Sequence, residues 1–299
     1  MDERRFSGTV LLILIVVVLV AGGVGAGVLY VVTQPKGGGG PPTAQLGDNL
    51  TVNYIGMFGG TPQVGRVFDT SLYSVATNNA SYPKSLEFAL RGGPSTYTPL
   101  AVNNLGPSSG LIGGFWQGLL NLPLNQTRIV TIPVGPSGYW PVNQSCLVSE
   151  PLVYSIPTVR SYTPTAFSGL FPGIQPTTGL TFPDPTYFWA DTILSQNATA
   201  VVVENLPTVG YTSSPFGWGV TVTNVSATSI QLTNDLSPAS AGLVLGHSQT
   251  GMDCGSTTPK TQFIVSSVDL ATGTFTENYN PETVGATLVF YMTIVTLSK

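Results

Sequence analysis

From Val10 to Val32 the chain carries no charged residue, and the stretch LLILIVVVLV is almost pure hydrocarbon. At about 1.5 Å of rise per residue, a helix of this length spans roughly 34 Å, enough to cross a bilayer core. Two readings fit: a transmembrane helix, or the apolar centre of a cleaved export signal, for which AGGVGAG supplies small residues near a cleavage point. The apolar run resumes as VLYVV after those glycines and outlasts a signal core, which favours the anchor. Arg4 and Arg5 precede the run, and Lys36 is the only charge close behind it. The positive-inside bias therefore puts residues 1–9 in the cytoplasm, a transmembrane helix at 10–32, and the rest outside the cell membrane. Residues 33–43, with TQPKGGGGPP, have little to pack with and read as a flexible tether.

The remainder is poor in charge. Only 8% of residues are Asp, Glu, Lys or Arg, against roughly 25% in ordinary soluble proteins. Disorder is excluded by the 42% hydrophobic content and by 12 Tyr and 13 Phe, since disordered chains lack such residues. A net charge of −4 and no basic run beyond Arg4-Arg5 exclude a nucleic-acid partner. A surface of uncharged polar groups does not lose its support when carboxylates protonate, which predicts tolerance of an acidic exterior. Cys146 and Cys254 form either one disulfide or two buried thiols, and the outside location favours the disulfide. Six Asn-x-Ser/Thr sequons, at Asn49, Asn79, Asn125, Asn143, Asn197 and Asn224, agree with that side but add little in so Asn- and Thr-rich a chain.

Along the ectodomain, LTVNYIGMF alternates, with Leu50, Val52, Tyr54 and Phe58 on one side as in a half-buried strand. GRVFD reads as a second strand and SLEFAL as a third, after a polar loop from Tyr73 to Lys84. Ile112, Phe115, Trp116 and Leu119 recur at helical spacing, and Pro123 limits that helix to a short one. TRIVTIPV is a further strand, and TLVFYMTIVTL, apolar on both faces, a central one. Between about 141 and 280, short apolar strings such as AVVVENL and QFIVSSVDL alternate with Gly, Pro, Asn and Ser, predicting a mostly β module. His247 is the only histidine, which argues against a Ser-His-Asp triad or a multi-histidine zinc site. No phosphate-cradling Gly-Lys loop occurs, so neither metal nor cofactor is expected.

Three blocks together resemble the FKBP family of peptidyl-prolyl isomerases. GDNLTVNYIGMF with GRVFDTS is similar to the family's opening strand pair, LIGGFWQGLLNLPLNQTRIVTIP to its central helix and following strand, and GATLVFYMTIVTL to its last strand. The blocks cover about residues 46–140 and 282–299. GYWPVNQSCLVSEP and ENYNPETVGATL are similar to the entry and exit of a domain that some members insert into the flap over the active site.

The resemblance implies an α+β fold, a strongly curved antiparallel sheet wrapped around a short helix, formed by 44–140 plus 281–299. A mostly β inserted domain at 141–280 and the N-terminal transmembrane helix would complete it. The implied activity is cis-trans isomerisation of X-Pro bonds in unfolded or exported proline-containing polypeptides, with the insert holding clients and the protein monomeric. Phe115 would be the floor of the proline slot, with Tyr54, Phe68, Tyr139 and Phe290 as walls and Leu111 and Ile112 at the helix start. The Ile112 N–H would bind a substrate carbonyl, Asp69 would orient or polarise the twisting one, and Tyr139 would donate a hydrogen bond. Leu86 and Phe88 would touch substrate. Without the family, Phe68, Phe115 and Phe290 read as core packing, Tyr54 as a strand tyrosine and Asp69 as a turn cap. The sequence also departs from the family: Phe115 stands where Trp is commonest, Leu86 where an aromatic is frequent, and the loops Tyr73–Lys84 and Gly92–Gly110 are long. A catalytically weak binding module at the envelope, or a structural surface protein, are the competing readings.

Overall fold

The structure, a computed structural model, describes residues 41–135, 139–254 and 259–299. The expected anchor at 10–32, the cytoplasmic residues before it and most of the tether lie outside the described residues. Among the described residues, no helix is long and apolar enough to cross a membrane.

In chain order the first strands are β1 (Asn49–Phe58), β2 (Val67–Thr70), β3 (Leu100–Val102) and β4 (Thr127–Ile132). Then come β5 (Leu147–Pro151), β6 (Val153–Pro157), β7 (Val159–Tyr162), β8 (Thr181–Pro183), β9 (Ala190–Gln196) and β10 (Val201–Asn205). They are followed by β11 (Thr212–Ser213), β12 (Val220–Val225), β13 (Ser229–Asn234), β14 (Leu245–Met252), β15 (Lys260–Asp269), β16 (Thr274–Asn278) and β17 (Leu288–Ser298). The α-helices are short: α1 (Tyr73–Thr77), α2 (Gly113–Leu119) and α3 (Pro164–Leu170).

This overturns the expected α+β class. The described chain is mostly β, 41% strand against 11% helix, in four antiparallel sheets, rather than a sheet wrapped on a helix. The physical reason lies in the composition. Gly and Pro punctuate the chain every few residues and stop helices early, while the apolar strings between them are rich in Val, Thr and Ile, which suit strands. In α2 itself Gly113, Gly114 and Gly118 take three of seven positions.

The first sheet runs β2-β1-β17-β4, with β3 also on β1. One edge of β1 pairs with β17 along its whole length. Its other edge is shared, Leu50–Val52 by β3 and Ile55–Met57 by β2. On β1 the residues Leu50, Val52, Gly56 and Phe58 are buried on one side, as the alternation requires. Strand β17 is central, but only one of its faces is closed. Leu288, Phe290, Met292 and Ile294 are buried, whereas Tyr291 and Val295 on the opposite face remain partly exposed. Helix α2 lies against the closed face. A Cβ on Gly118 would come within 2.5 Å of Val130 and 2.7 Å of Met292, so glycine is what permits the close approach. SLEFAL does not form the expected third strand: Lys84 makes one isolated bridge to Val67, and Phe88 N–H closes a turn on the Ser85 carbonyl. At the end of the tether, Leu124 N–H donates to the Pro42 carbonyl and Ala44 is buried.

Strands β5 to β16 pair only among themselves, as β7-β10-β9-β8, β11-β12-β13-β6 and β14-β15-β16-β5. A large aromatic core with Trp189, Trp218 and Phe263 spans several of these strands, and a smaller one gathers Phe167 of α3 and Phe171 just past its end. Cys146 and Cys254 form a disulfide, with Cα atoms 5.5 Å apart, across a sequence separation of 108. Polar ties from β15 and from the segment leading into β17 reach the loop that holds Leu86 and Glu87. The Glu282 carboxylate accepts the backbone N–H groups of Leu86 and Glu87 at 2.9 and 3.0 Å, and Lys260 pairs with Glu87 at 2.6 Å.

Candidate functional site

Phe290 of β17 is the hub of an aromatic cluster. Its ring meets Phe115 of α2 at 5.0 Å, Phe68 of β2 at 5.5 Å and Tyr54 of β1 at 6.3 Å, while Tyr54 also meets Phe115 edge-on at 6.0 Å. Three of these four contacts are near-perpendicular, which lets positive ring edges meet negative faces. Phe115 and Phe290 are almost fully covered, whereas Tyr54, Phe68, Leu111, Ile112 and Tyr139 are half-buried around them. Residues from three distant segments thus line one apolar patch with a closed floor.

Gly56 makes this patch possible, and the sequence reading passed over it. It shares the inward side of β1 with Tyr54 and Phe58, and a Cβ there would come within 2.6 Å of Phe68 and 3.0 Å of Phe290. Any larger residue would push both rings out.

The polar rim is a short network. Tyr54 donates its hydroxyl to Asp69 Oδ2 at 2.5 Å, and Thr70 N–H donates to Asp69 Oδ1 at 2.8 Å. Burial first, and then the hydrogen bond to Asp69, raise the Tyr54 phenol well above its ordinary pKa, so it stays a donor. Arg91 stands 3.4 Å from Asp69 Oδ1 and lies over the Tyr97 ring at 4.6 Å. It also donates to the Thr70 carbonyl. Arg91 was not read from the sequence, because it sits in an irregular stretch between the first two of the three blocks.

Ile112 caps α2 with its carbonyl accepting Phe115 N–H, and its own N–H has no partner among the described residues. Tyr139 bridges to Val134, packs against Trp140 at 5.8 Å and keeps its hydroxyl without a hydrogen bond to any described residue. Leu86 and Phe88 are placed differently. They belong to the turn held by Glu282, outside the aromatic cluster, and Phe88 lies under Lys84 at 5.4 Å.

The border of the patch carries hydrogen-bond donors and a carboxylate. Among the described residues no cluster of His, Cys, Asp and Glu could hold a metal. No protein-family model matches the chain, and no curated protein matches it.

Proposed function

We propose that the aromatic patch is the proline slot of a peptidyl-prolyl cis-trans isomerase that acts on extracytoplasmic polypeptides. In this reading residues 10–32 anchor it to the membrane and 141–280 hold the client. The observation that carries the reading is the meeting of Tyr54, Phe68, Phe115 and Phe290, with Asp69 at their edge. These residues come from the blocks that resemble the FKBP family.

Rotation about an X-Pro amide faces a barrier of about 18–20 kcal/mol, set by loss of C–N resonance. A nucleophile is not needed. The planar amide is stabilised by charge separation, which water supports. An apolar slot strips that support and favours the twisted form. The proline ring would rest on Phe115 and Phe290, with Tyr54 and Phe68 at its sides. The unpartnered Ile112 N–H would hold a substrate carbonyl, and the Tyr139 hydroxyl is a second donor.

One observation favours the weaker alternative, a binding module of low activity. Both oxygens of Asp69 are already engaged, by Tyr54, Thr70 and Arg91, which suits orientation better than polarisation.

The deciding test is exchange of an Ala-Pro peptide in the presence of the purified chain, against an uncatalysed time of about 10–100 s. Acceleration that Phe115→Ala reduces at least tenfold is the expected result. Exchange unchanged at high protein concentration would remove the isomerase reading, and peptide binding without acceleration would leave the module.

A further inference from the structure

The strands of 141–280 line an open cavity of about 520 Å³ with aromatic rings and carboxylates. Tyr154, Tyr187, Phe216, Trp218 and Phe275 supply rings, and Glu150 and Glu277 supply carboxylates. The two carboxylates share a face by register. Glu150 of β5 stands opposite Phe275 of β16, and Glu277 lies two residues further along β16.

Most polar handles of the aromatic wall are already used, one phenolic proton of the Tyr154–Tyr187 pair remaining. Trp218 donates its indole N–H to Asn234 at 2.8 Å, and the Tyr154 and Tyr187 hydroxyls bond each other at 3.1 Å. The wall therefore presents mainly π-faces. The one arginine in the lining, Arg160, is committed to Asp184 at 2.8 Å and lies 3.9 Å from Asp191. Among the described residues no lysine or arginine pairs with Glu150 or Glu277. Burial, and then the neighbouring charge of Glu150, raise the Glu277 carboxyl, against which Tyr279 donates its hydroxyl at 2.7 Å. Two half-buried carboxylates on one face without a cation are an unbalanced arrangement.

We propose that this cavity binds a basic side chain, lysine or arginine, carried by a polypeptide. The charged head would lie between Glu150 and Glu277, and its apolar stem or guanidinium plane against Trp218 and Phe216. Cations gain from both partners, since ring faces are negative and a half-buried carboxylate is weakly screened. Anions are opposed by the same charges. That the ligand belongs to a polypeptide rests on the client-holding reading, whereas the preference for a cation rests on the cavity alone.

The test is calorimetric titration of the full chain with acetyl-Gly-Arg-Gly-amide and with its citrulline analogue, which keeps the shape and removes the charge. The arginine peptide is expected to bind at least tenfold more tightly. The double variant Glu150→Gln/Glu277→Gln should abolish that difference, and Phe216→Ala should weaken both peptides. Equal affinity for the two peptides overturns the proposal even if the double variant fails to fold, as does a neutral disaccharide, maltose, binding as tightly as the arginine peptide. Aggregation of an unfolded client is measured separately. Tight arginine binding without protection from aggregation would support the cation site while removing the client-holding role.

Discussion

The two ends of the ectodomain and the strands between them treat polar groups in opposite ways. Around Phe290 the core cluster is built of apolar side chains, and the polar residues buried beside it include the uncharged Thr70 and Ser71. The Asp69–Arg91 ion pair sits at the rim with both side chains nearly half exposed. Among β7, β9 and β10 the charges are inside. Arg160 lies between Asp184 and Asp191, whose side chains are 1% and 0% exposed. Asp184 also accepts the Thr186 and Tyr187 amides, and Asn205 donates to the Pro157 and Thr158 carbonyls. The apolar cluster can lose a polar partner and stay packed. The buried ionic cluster must be complete, because a charge left alone in a dry interior has nothing to replace water.

The largest effect that would break this contrast is at Arg160. Arg160→Met keeps most of the side chain's length but leaves the buried Asp184–Asp191 pair without its cation, an expected loss of about 3–5 kcal/mol. A melting midpoint unchanged by this substitution at neutral pH would show that the cluster is not held together by its cation.

How much of this contrast could be read beforehand depended on whether residues announced themselves locally. Tyr54 lies on a strand whose alternation is plain, Phe68 and Phe290 lie on apolar runs that read as strands, and Phe115 follows helical spacing, so their meeting needed only the order of the blocks. The long stretch Gly92–Gly110 gave no such signal, yet it supplies β3. SLEFAL failed as a strand because the free edge of β1 is already taken by β2 and β3, which leaves Leu86 and Phe88 in a turn. The expected α+β class failed for a related reason: the helical pattern around Phe115 is real but seven residues long, and the middle of the chain adds strands rather than helices. Nothing periodic links Arg160, Asp184 and Asp191. They become neighbours only when β7, β9 and β10 pair, so neither the cluster nor the cavity beside it was visible in the sequence.

A smaller effect sharpens the contrast through pH. Burial, and then the negative charge of Asp184, raise the Asp191 carboxyl to about 7, with Arg160 and the Trp189 indole N–H acting in the opposite direction. The folded protein then holds a proton that the unfolded chain releases above about pH 4. Its contribution to stability is complete below the unfolded pKa and is lost as pH rises toward 7. Glu277, also raised by burial, acts with the same sign. Stability should therefore increase on going from pH 7.5 to 4.5, on the order of 1 kcal/mol or more from Asp191, and Asp191→Asn should flatten the profile. This direction agrees with the tolerance of an acidic exterior expected from the low charge content. A melting midpoint that dropped sharply between neutral pH and about pH 3 would contradict both.

The smallest effect is at Arg91, and it tests which half of the proposed site matters. Arg91→Met removes an ion pair that is open to water on both sides, so the stability change should stay within about 1 kcal/mol. Asp69 would still receive the Tyr54 hydroxyl and the Thr70 amide. If twisting of the proline amide is favoured by the dry ring surface, the exchange rate of an Ala-Pro peptide should change less than threefold. A tenfold loss, with the melting midpoint intact, would mean that the charge balance at Asp69 governs the reaction. The aromatic patch would then be a docking surface for a chemistry that the rim performs, and the division between an apolar end and an ionic middle would not separate the functions of this chain.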